Sequence, residues 1–347
     1  MTKDNRIIIT TDNGEQVEAS APIIVSASRS TDIPAFYAEW FVNRLKAGYC
    51  VWYNPFNQKP MHVSFEKTKA LVFWTKNPKP LIPHLDYLDE RGIHYYFQFT
   101  LNDYDNEKLE PKVPSVEARI ETFKKLSEKI GKEKVIWRFD PLILTDKIGV
   151  NELLKKVENI GDQLHGYTEK LVFSFADIGI YAKVQNNLKR LKNDEQLDSA
   201  CREFTRDEMR EFAAGLQNLN AKWKFSLATC AEEADLTQYG IEHNRCIDGE
   251  LMKRIFAHDS DFVYYLTYGE FPDKNTLFSD EPPGKKANLK DKGQRKACGC
   301  MISKDIGMYN TCPHFCIYCY ANTSEETVRK NRKVYSENGE SIINIKQ

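Results

Sequence analysis

Short apolar runs, rich in β-branched and aromatic residues, alternate along this chain with longer amphipathic stretches. Most of the short runs are apolar at consecutive positions, which is typical of parallel strands that are buried on both faces. They predict strands at Ile23–Ser26, Tyr49–Tyr53, Ala70–Trp74, Tyr95–Phe99, Lys134–Phe139, Leu171–Phe175 and Lys224–Thr229. The amphipathic stretches predict helices at Pro34–Leu45, Val116–Ile130, Val150–Leu164 and Arg206–Leu219. Because strands and helices alternate, the pattern predicts an α/β fold, a partial or complete TIM-like β/α barrel.

Breaks in this pattern divide the chain into segments. These are a β-hairpin cap (residues 1–22), the barrel (23–258), a loop or lid with a cysteine pair at its end (259–297) and a C-terminal barrel unit (298–335). The hairpin turns at Asn13-Gly14, and Asp273–Gln294 is a lysine-rich, Pro- and Gly-containing stretch typical of surface loops. The last unit has a predicted strand at Met301–Met308, a cysteine-rich loop, and a predicted helix at Thr323–Arg332 that begins at Thr323 as N-cap. We predict that the residues after this helix form a loose tail.

Composition narrows the class of protein. The 347 residues are 41% hydrophobic and 29% charged, which is typical of a globular protein with a substantial core. Lys and Arg number 49 against 50 Asp and Glu, so that no overall positive field favours nucleic acid or an anionic membrane. No apolar stretch is long enough to cross a membrane, and no apolar signal segment begins the chain. We therefore expect a cytoplasmic protein, in which nine cysteines indicate metal rather than disulfides.

The most informative cysteines are Cys312, Cys316 and Cys319, spaced C-x3-C-x2-C. Soft thiolates suit iron, and this spacing suits a cuboidal [4Fe-4S] cluster that three thiolates hold and that keeps one iron open for a ligand. Two alternatives stay open. His314 could complete a four-ligand zinc site with the three cysteines, or two of the thiols could form a disulfide.

A second group of cysteines predicts a second metal site. Cys298 and Cys300 precede the predicted strand Met301–Met308, Cys230 follows the strand Lys224–Thr229, and Cys246 lies in the next loop. Four thiolates are the full complement of an auxiliary [4Fe-4S] cluster. The alternative is that Cys230 and Cys246 are ordinary buried thiols, as is common for cysteine. The remaining cysteines, Cys50 and Cys201, have no partner pattern and are predicted to be structural.

The segment from Thr311 to Asn322, with Tyr318 directly before the last cysteine, resembles the signature of the radical S-adenosylmethionine (SAM) enzymes. The resemblance implies that SAM binds the open iron, that Tyr318 packs near its adenine, and that a flavodoxin or ferredoxin supplies the electron. In that superfamily the cluster loop follows the first barrel strand, whereas here it comes last. We therefore expect a circularly permuted barrel, in which Met301–Met308 lies beside Ile23–Ser26.

A closer resemblance is carried by several motifs spread from Ile23 to Asn322. They are Ser26-Ala27-Ser28-Arg29-Ser30-Thr31-Asp32-Ile33-Pro34, Asn54-Pro55-Phe56-Asn57, Trp74-Thr75-Lys76-Asn77-Pro78, Trp137-Arg138-Phe139-Asp140-Pro141, Cys298-Gly299-Cys300 and Ser303-Lys304-Asp305-Ile306-Gly307. Together they resemble an uncharacterised bacterial family, domain of unknown function 1848, which has a C-terminal cysteine cluster like that of the radical SAM enzymes. This resemblance implies a superfamily and a cofactor but no substrate.

Polar residues at the carboxyl ends of the predicted strands complete the candidate site, because active sites of barrels lie at that end. Candidate catalytic residues are Arg29, Asp32, Lys76, Arg138 and Asp140, and candidate cofactor-binding residues besides Tyr318 are Ser26, Ser28, Gln98 and Arg138. Arg138 could hold a carboxylate of SAM or of the substrate. Alternatively it forms a buried ion pair with Asp140 or Asp32 that ties strands together.

These observations predict a radical SAM enzyme, an oxidoreductase or lyase. In it a 5′-deoxyadenosyl radical takes a hydrogen atom from an unidentified small molecule or peptide, and an auxiliary cluster assists. The alternative is a zinc- or iron–sulfur-bearing protein that binds or repairs nucleic acid, or one without SAM turnover. The cysteine segment also resembles that of the spore photoproduct lyases, which act on DNA, but the balanced charge speaks against strong duplex binding.

Overall fold

A computed structural model describes residues 5–193, 200–230, 232–273, 286–295 and 298–343. Its strands are β1 (Arg6–Thr10), β2 (Gln16–Ser20), β3 (Ile24–Ala27), β4 (Tyr49–Tyr53), β5 (Pro60–Ser64), β6 (Ala70–Thr75), β7 (His94–Thr100), β8 (Val135–Leu142), β9 (Leu144–Thr145), β10 (Lys170–Phe175), β11 (Cys201–Arg202), β12 (Ser226–Thr229), β13 (Ile241–His243) and β14 (Lys304–Asp305). Its α-helices are α1 (Ile33–Phe36), α2 (Ala38–Ala47), α3 (Leu85–Glu90), α4 (Val116–Ile130), α5 (Val150–Leu164), α6 (Ala182–Asn193), α7 (Arg206–Trp223), α8 (Gly249–Ile255), α9 (Ser260–Tyr268) and α10 (Glu325–Arg332).

The centre of the fold is a parallel sheet with the strand order β13-β12-β10-β8-β7-β6-β3-β14. The prediction of an α/β fold with a large parallel sheet is confirmed. A closed barrel is not observed, because β13 and β14 do not pair with each other in the described part of the chain. The gap between these edge strands is crossed by irregular chain, where Met301 N donates to the carbonyl of Ile247 at 3.0 Å.

Both faces of this sheet are buried, as its nearly continuous apolar strands predict. Alternate side chains point to opposite faces of a strand, so that neighbours such as Phe97 and Tyr96 belong to two different apolar clusters. The larger cluster packs against helices α2, α4, α5 and α7. The smaller one packs against α8 and α9, through residues such as Met252 and Phe262, and extends to Cys246 and Cys300. The second face therefore leads directly to the candidate cysteines.

The N-terminal hairpin forms as predicted and extends into a second sheet. Strands β1 and β2 pair antiparallel around Gly14, whose φ of 85° needs the freedom of glycine. The prediction that Tyr49–Tyr53 belongs to the barrel was wrong. This strand pairs antiparallel with β5, and β5 pairs with β2, so that the small sheet has the order β1-β2-β5-β4.

Helix boundaries follow local sequence signals in most places. Helices α4 and α5 have the predicted bounds, and Gly131 follows α4 with a φ of 98°. Helix α7 extends four residues beyond its predicted end, to Trp223. The predicted helix Pro34–Leu45 is divided at Tyr37 into α1 and α2. The predicted start of the last helix was wrong by one residue, because Ser324 rather than Thr323 accepts the capping hydrogen bond, from Thr327 N.

The segment before the cysteine loop lies where it was predicted, although its strand is much shorter than Met301–Met308. Strand β14 pairs in parallel with β3, at Lys304 with Val25 and at Asp305 with Ser26. The carboxylate of Asp305 accepts hydrogen bonds from Ser26 Oγ at 2.7 Å and from Arg29 N at 2.9 Å. This adjacency is what a circular permutation requires, and the permutation itself stays a prediction.

Two other segments differ from the prediction. Part of the predicted loop or lid (259–297) is helix α9, and its residues 274–285 and 296–297 lie outside the described residues. The predicted loose tail is packed against the body of the protein. Val51 N donates to the carbonyl of Glu340 at 2.7 Å, Trp40 Nε1 donates to the carbonyl of Gly339 at 2.8 Å, and Ile342 is buried. No helix in the described ranges is long and apolar enough to cross a membrane.

Gly307, two residues after β14, allows this edge to approach the segment after β3 closely. A Cβ at Gly307 would collide with Oγ of Ser28 and lie 2.5 Å from its Cβ. We expect Gly307→Ala to lower the free energy of unfolding by about 1–3 kcal/mol, because an overpacked contact forces the backbone apart. Urea unfolding measures this. The control is Gly149→Ala, where the added Cβ would meet its nearest atom at 3.4 Å. Equal effects of the two substitutions would contradict the close contact.

Candidate functional site

The carboxyl ends of the parallel strands surround a cavity of about 380 Å³. It is lined by both groups of cysteines, by polar residues from the strand ends, and by an apolar wall that includes Ile143, Phe175 and Ile178. The candidate residues at its surface are Ser28, Arg29, Asp32, Lys76, Arg138, Asp140, Tyr318, Cys230, Cys246, Cys298, Cys300, Cys312, Cys316 and Cys319. Ser26 and Gln98, which were also predicted, lie buried beneath it.

Backbone hydrogen bonds hold the three-cysteine loop, residues 312–319, in a tight conformation. Cys319 N donates to the carbonyl of Cys316 at 3.1 Å, and Phe315 adopts a left-handed conformation with a φ of 53°. From outside the loop, Asn322 Nδ2 donates to the carbonyl of Cys312 at 2.8 Å. Burial raises the pKa of all three thiols. The loop is thus shaped mainly by the backbone, which leaves the three thiols facing the cavity.

His314 is occupied by other partners. Its Nε2 lies 2.8 Å from Oδ2 of Asp32, and its Nδ1 lies 3.4 Å from the carbonyl of Lys112. Asp32 also accepts a hydrogen bond from Lys76 N at 2.7 Å and caps α1 through Ala35 N. Because both ring nitrogens are engaged, this geometry speaks against His314 as the fourth ligand of a zinc site in the loop.

Glu110, which the sequence did not single out, anchors the loop from below. Its carboxylate accepts hydrogen bonds from Lys76 Nζ at 2.6 Å, from Arg119 Nη1 at 3.1 Å and from the hydroxyl of Tyr318. Burial alone would raise the pKa of Glu110, but the charges of Lys76 and Arg119 lower it to about 2. Asn102 donates to the same carboxylate at 3.0 Å. Glu110 is therefore an ionised carboxylate in the interior, held there by two cations.

Tyr318 is oriented by this network. Its hydroxyl accepts hydrogen bonds from Lys76 Nζ at 2.9 Å and from Asn102 Nδ2 at 3.0 Å. The ring of Tyr104 contacts it edge to face, with centroids 6.3 Å apart. The side chain lines the cavity beside the cysteines, and its predicted contact with adenine stays a prediction.

The segment after β3 supplies polar groups that mostly bond to one another. Ser28 Oγ accepts from Ser30 N at 3.0 Å, and Ser26 Oγ donates to Asp305. The Arg29 carbonyl accepts from the hydroxyl of Tyr320 at 2.9 Å, while its guanidinium lies over the ring of Trp74. The predicted cofactor-binding role of Ser26 and Ser28 therefore competes with partners within the protein.

Arg138 forms a buried ion pair, the second of its two predicted roles, and its partner is Asp140 rather than Asp32. The two side chains form two hydrogen bonds, and Nη1 of Arg138 also donates to Gln98 Oε1 at 3.1 Å and to Cys246 Sγ at 3.2 Å. Gln98 Nε2 donates to the carbonyl of Cys246 at 3.0 Å. The donors of Arg138 and Gln98 are thus engaged, and their predicted binding of SAM stays a prediction.

The second group of cysteines converges on Cys246. The sulfurs of Cys230 and Cys246 lie 3.3 Å apart, and Cys246 N donates to the sulfur of Cys300 at 3.2 Å. Hydrogen bonds with Cys230 and Cys300, together with the nearby Arg138, lower the pKa of the Cys246 thiol well below its usual range. Cys298 lines the same cavity as Cys300. The structure therefore brings together four cysteines that are far apart in the sequence.

No group of three His, Cys, Asp or Glu side chains within the described ranges is arranged to hold a single metal ion.

Several lining residues were not predicted. Glu232 is buried, with Oε1 accepting from Phe175 N at 2.9 Å, and burial raises its pKa to about 7. Arg295 pairs with Asp177 at 3.3 Å and lies over the ring of Tyr181. Cys201, expected to be structural, also lines the cavity, whereas Cys50 lies in the small sheet. No sequence motif marks these residues, because they meet only in the folded chain.

Comparisons with known proteins give a family and no reaction. The family described as "Domain of unknown function (DUF1848)" matches residues 24–321. No curated protein matches the chain. Among solved structures, a protein from Bacteroides thetaiotaomicron assigned as an alpha-L-fucosidase is 11% identical, with a TM-score of 0.27, over 74% of this chain and 97% of that one.

Replacing Glu110 tests the anchoring network. We expect Glu110→Gln to lower the free energy of unfolding by about 3 kcal/mol at neutral pH, because it leaves the half-buried Lys76 and the buried Arg119 without their shared carboxylate. The folded-state pKa of about 2 lies below the ordinary 4.5. The stabilisation is therefore complete above about pH 5 and is lost as the pH falls toward 2.

Urea unfolding of wild type and variant between neutral and acidic pH measures this difference. The control is Glu121→Gln, which removes an exposed pair with Lys125 and should change stability by less than about 0.5 kcal/mol. A difference between wild type and Glu110→Gln that does not shrink in acid would contradict the assignment of an ionised Glu110.

Proposed function

The chain belongs to the DUF1848 family, for which no reaction is known, and from the geometry of the site we propose that it is a radical SAM enzyme. The observation that carries the proposal is the three-cysteine loop. Three thiols line the cavity, while His314, the other potential ligand in the loop, is hydrogen-bonded to Asp32. Three thiolates and a free coordination position are what a SAM-binding [4Fe-4S] cluster needs.

The residues present fit this group. The donor set is all sulfur, which suits iron–sulfur clusters. The positive charge of Lys76 interacts electrostatically with Cys316 and Cys319, and it would therefore stabilise the thiolates that hold the cluster. When bound, the cluster supplies the electron that cleaves SAM and so starts hydrogen abstraction from the substrate.

The chain's own residues have separate tasks in this proposal. Cys312, Cys316 and Cys319 bind the cluster, and Lys76 with Glu110 fixes the loop and the ring of Tyr318 beside the cavity. The apolar wall of the cavity keeps water from the reacting groups. Its volume of about 380 Å³ is within the range of sites for one small molecule, such as SAM. We propose a small molecule or the end of a peptide as the substrate.

Three further residues have proposed roles at the same end of the sheet. Asp32 orients His314 and the turn after Thr75 through its hydrogen bonds to His314 and Lys76 N. Asp140 accepts a hydrogen bond from Ser174 Oγ and pairs with Arg138 at the wall of the cavity. We propose a flavodoxin or ferredoxin as the electron donor.

Anaerobic reconstitution tests the proposal. Protein loaded with ferrous iron and sulfide, reduced with dithionite and given SAM, should release 5′-deoxyadenosine, detected by chromatography and mass spectrometry. Cys316→Ala should abolish release, since two thiolates do not hold such a cluster. The control is Cys50→Ala, a buried cysteine in the small sheet, which should release as much as wild type. Stoichiometric zinc without nucleoside release would contradict the proposal and favour a binding protein.

A further inference from the structure

We infer that Cys230, Cys246, Cys298 and Cys300 form a second metal centre, an iron–sulfur cluster with all four positions held by protein. The four residues come from three separate segments: after β12, after β13, and before β14. They meet at the cavity wall. The sulfurs of Cys230 and Cys246 lie 3.3 Å apart, and Cys246 N donates a hydrogen bond to the sulfur of Cys300. Four thiolates are the full ligand set of such a cluster.

Two arginines face this group, the buried Arg138 and the half-buried Arg29, which indicates that the sulfurs carry negative charge. Arg138 is 3% exposed, and its Nη1 donates to Cys246 Sγ at 3.2 Å. Arg29 acts through space on Cys246, Cys298 and Cys300, and its Nη2 is buried without a hydrogen-bond partner. Burying the guanidinium of Arg138 and Nη2 of Arg29 beside neutral thiols would be costly. Asp140 and Asp305 balance part of this charge, and four metal-bound thiolates would balance the rest.

Neutral donors also point at the sulfurs. Cys246 N and Ile247 N lie 3.2 and 3.4 Å from Sγ of Cys300, and Asn244 Nδ2 lies 3.4 Å from Sγ of Cys246. Hydrogen bonds to the thiolates are one of the features that set the reduction potential of a cluster. The surroundings are therefore built for an anionic sulfur group.

The position favours an iron–sulfur cluster over zinc. The described residues contain no three-ligand arrangement for a single ion. With every position filled by protein, the centre can exchange electrons but cannot bind a substrate directly. This role rests on the proposed function, since the three-cysteine loop lines the same cavity.

Metal analysis of the full chain, reconstituted with ferrous iron and sulfide, tests the second centre. We expect about eight iron atoms per wild-type chain, and about four in a variant with Cys312, Cys316 and Cys319 all changed to Ala. Changing Cys230, Cys246, Cys298 and Cys300 to Ala should also leave about four iron atoms. Cys50→Ala, the matched control, should keep the wild-type content.

An X-ray anomalous map of wild-type crystals at the iron edge tests the second centre without relying on the folding of the variants. It should show a second peak between Cys230, Cys246, Cys298 and Cys300. A zinc-edge peak there, a disulfide between Cys230 and Cys246, or four free thiols would overturn the inference. If this peak is present and no 5′-deoxyadenosine forms, the second centre stands and the proposed function fails. If 5′-deoxyadenosine forms and this peak is absent, the proposed function stands and the second centre fails.

Arg138 is a positioning residue of the second centre, because its positive charge lies beside the cysteine sulfurs and affects the reduction potential of the cluster. In the background that lacks the three loop cysteines, Arg138→Gln should lower the midpoint potential of the remaining centre, since loss of a positive charge disfavours the reduced form. Arg44→Gln, which removes a buried arginine paired with Asp12, is the control. A purely structural role of Arg138 would leave the midpoint potential unchanged.

Discussion

The carboxylate of Glu110 is the interaction on which the rest of the site depends. It is fully buried, and it remains ionised because Lys76 and Arg119 share it. A buried charge of this kind is stable only when its partners are in place, so the 101–115 loop, the end of β6 and helix α4 must keep one arrangement. Tyr318 joins the same carboxylate and thereby connects the three-cysteine loop to the sheet. The position of the proposed metal ligands thus follows from charge pairing beneath them.

A second constraint acts at the open edge of the sheet. The short strand β14 pairs with β3, and Asp305 there bonds both Ser26 and Arg29 N. This contact brings the segment with Cys298 and Cys300 and the three-cysteine loop to the same cavity, one before β14 and one after it. The edge strand therefore positions both groups of cysteines, although few of its own residues are in the sheet.

Much of the fold could be predicted because its signals are local. Apolar runs identified the parallel strands, and Gly131 marked the end of α4. The sequence did not show that Tyr49–Tyr53 joins the small sheet, because its partner β5 carries a mixed polar pattern. Glu110 lies in a loop without periodicity, so the sequence did not indicate its role. Whether Arg138 pairs with Asp32 or with Asp140 depends on the folded geometry alone. The four converging cysteines were suggested by residue type, and only the fold brings them together.

The central claim is that three thiolates hold a cluster with one open iron. Mössbauer spectroscopy of protein reconstituted with iron-57 and measured with and without SAM tests it most directly. The account predicts that one iron of the cluster bound by Cys312, Cys316 and Cys319 changes its isomer shift when SAM is added, because its coordination changes. A spectrum that is the same with and without SAM, or a protein that retains no iron, would contradict the account.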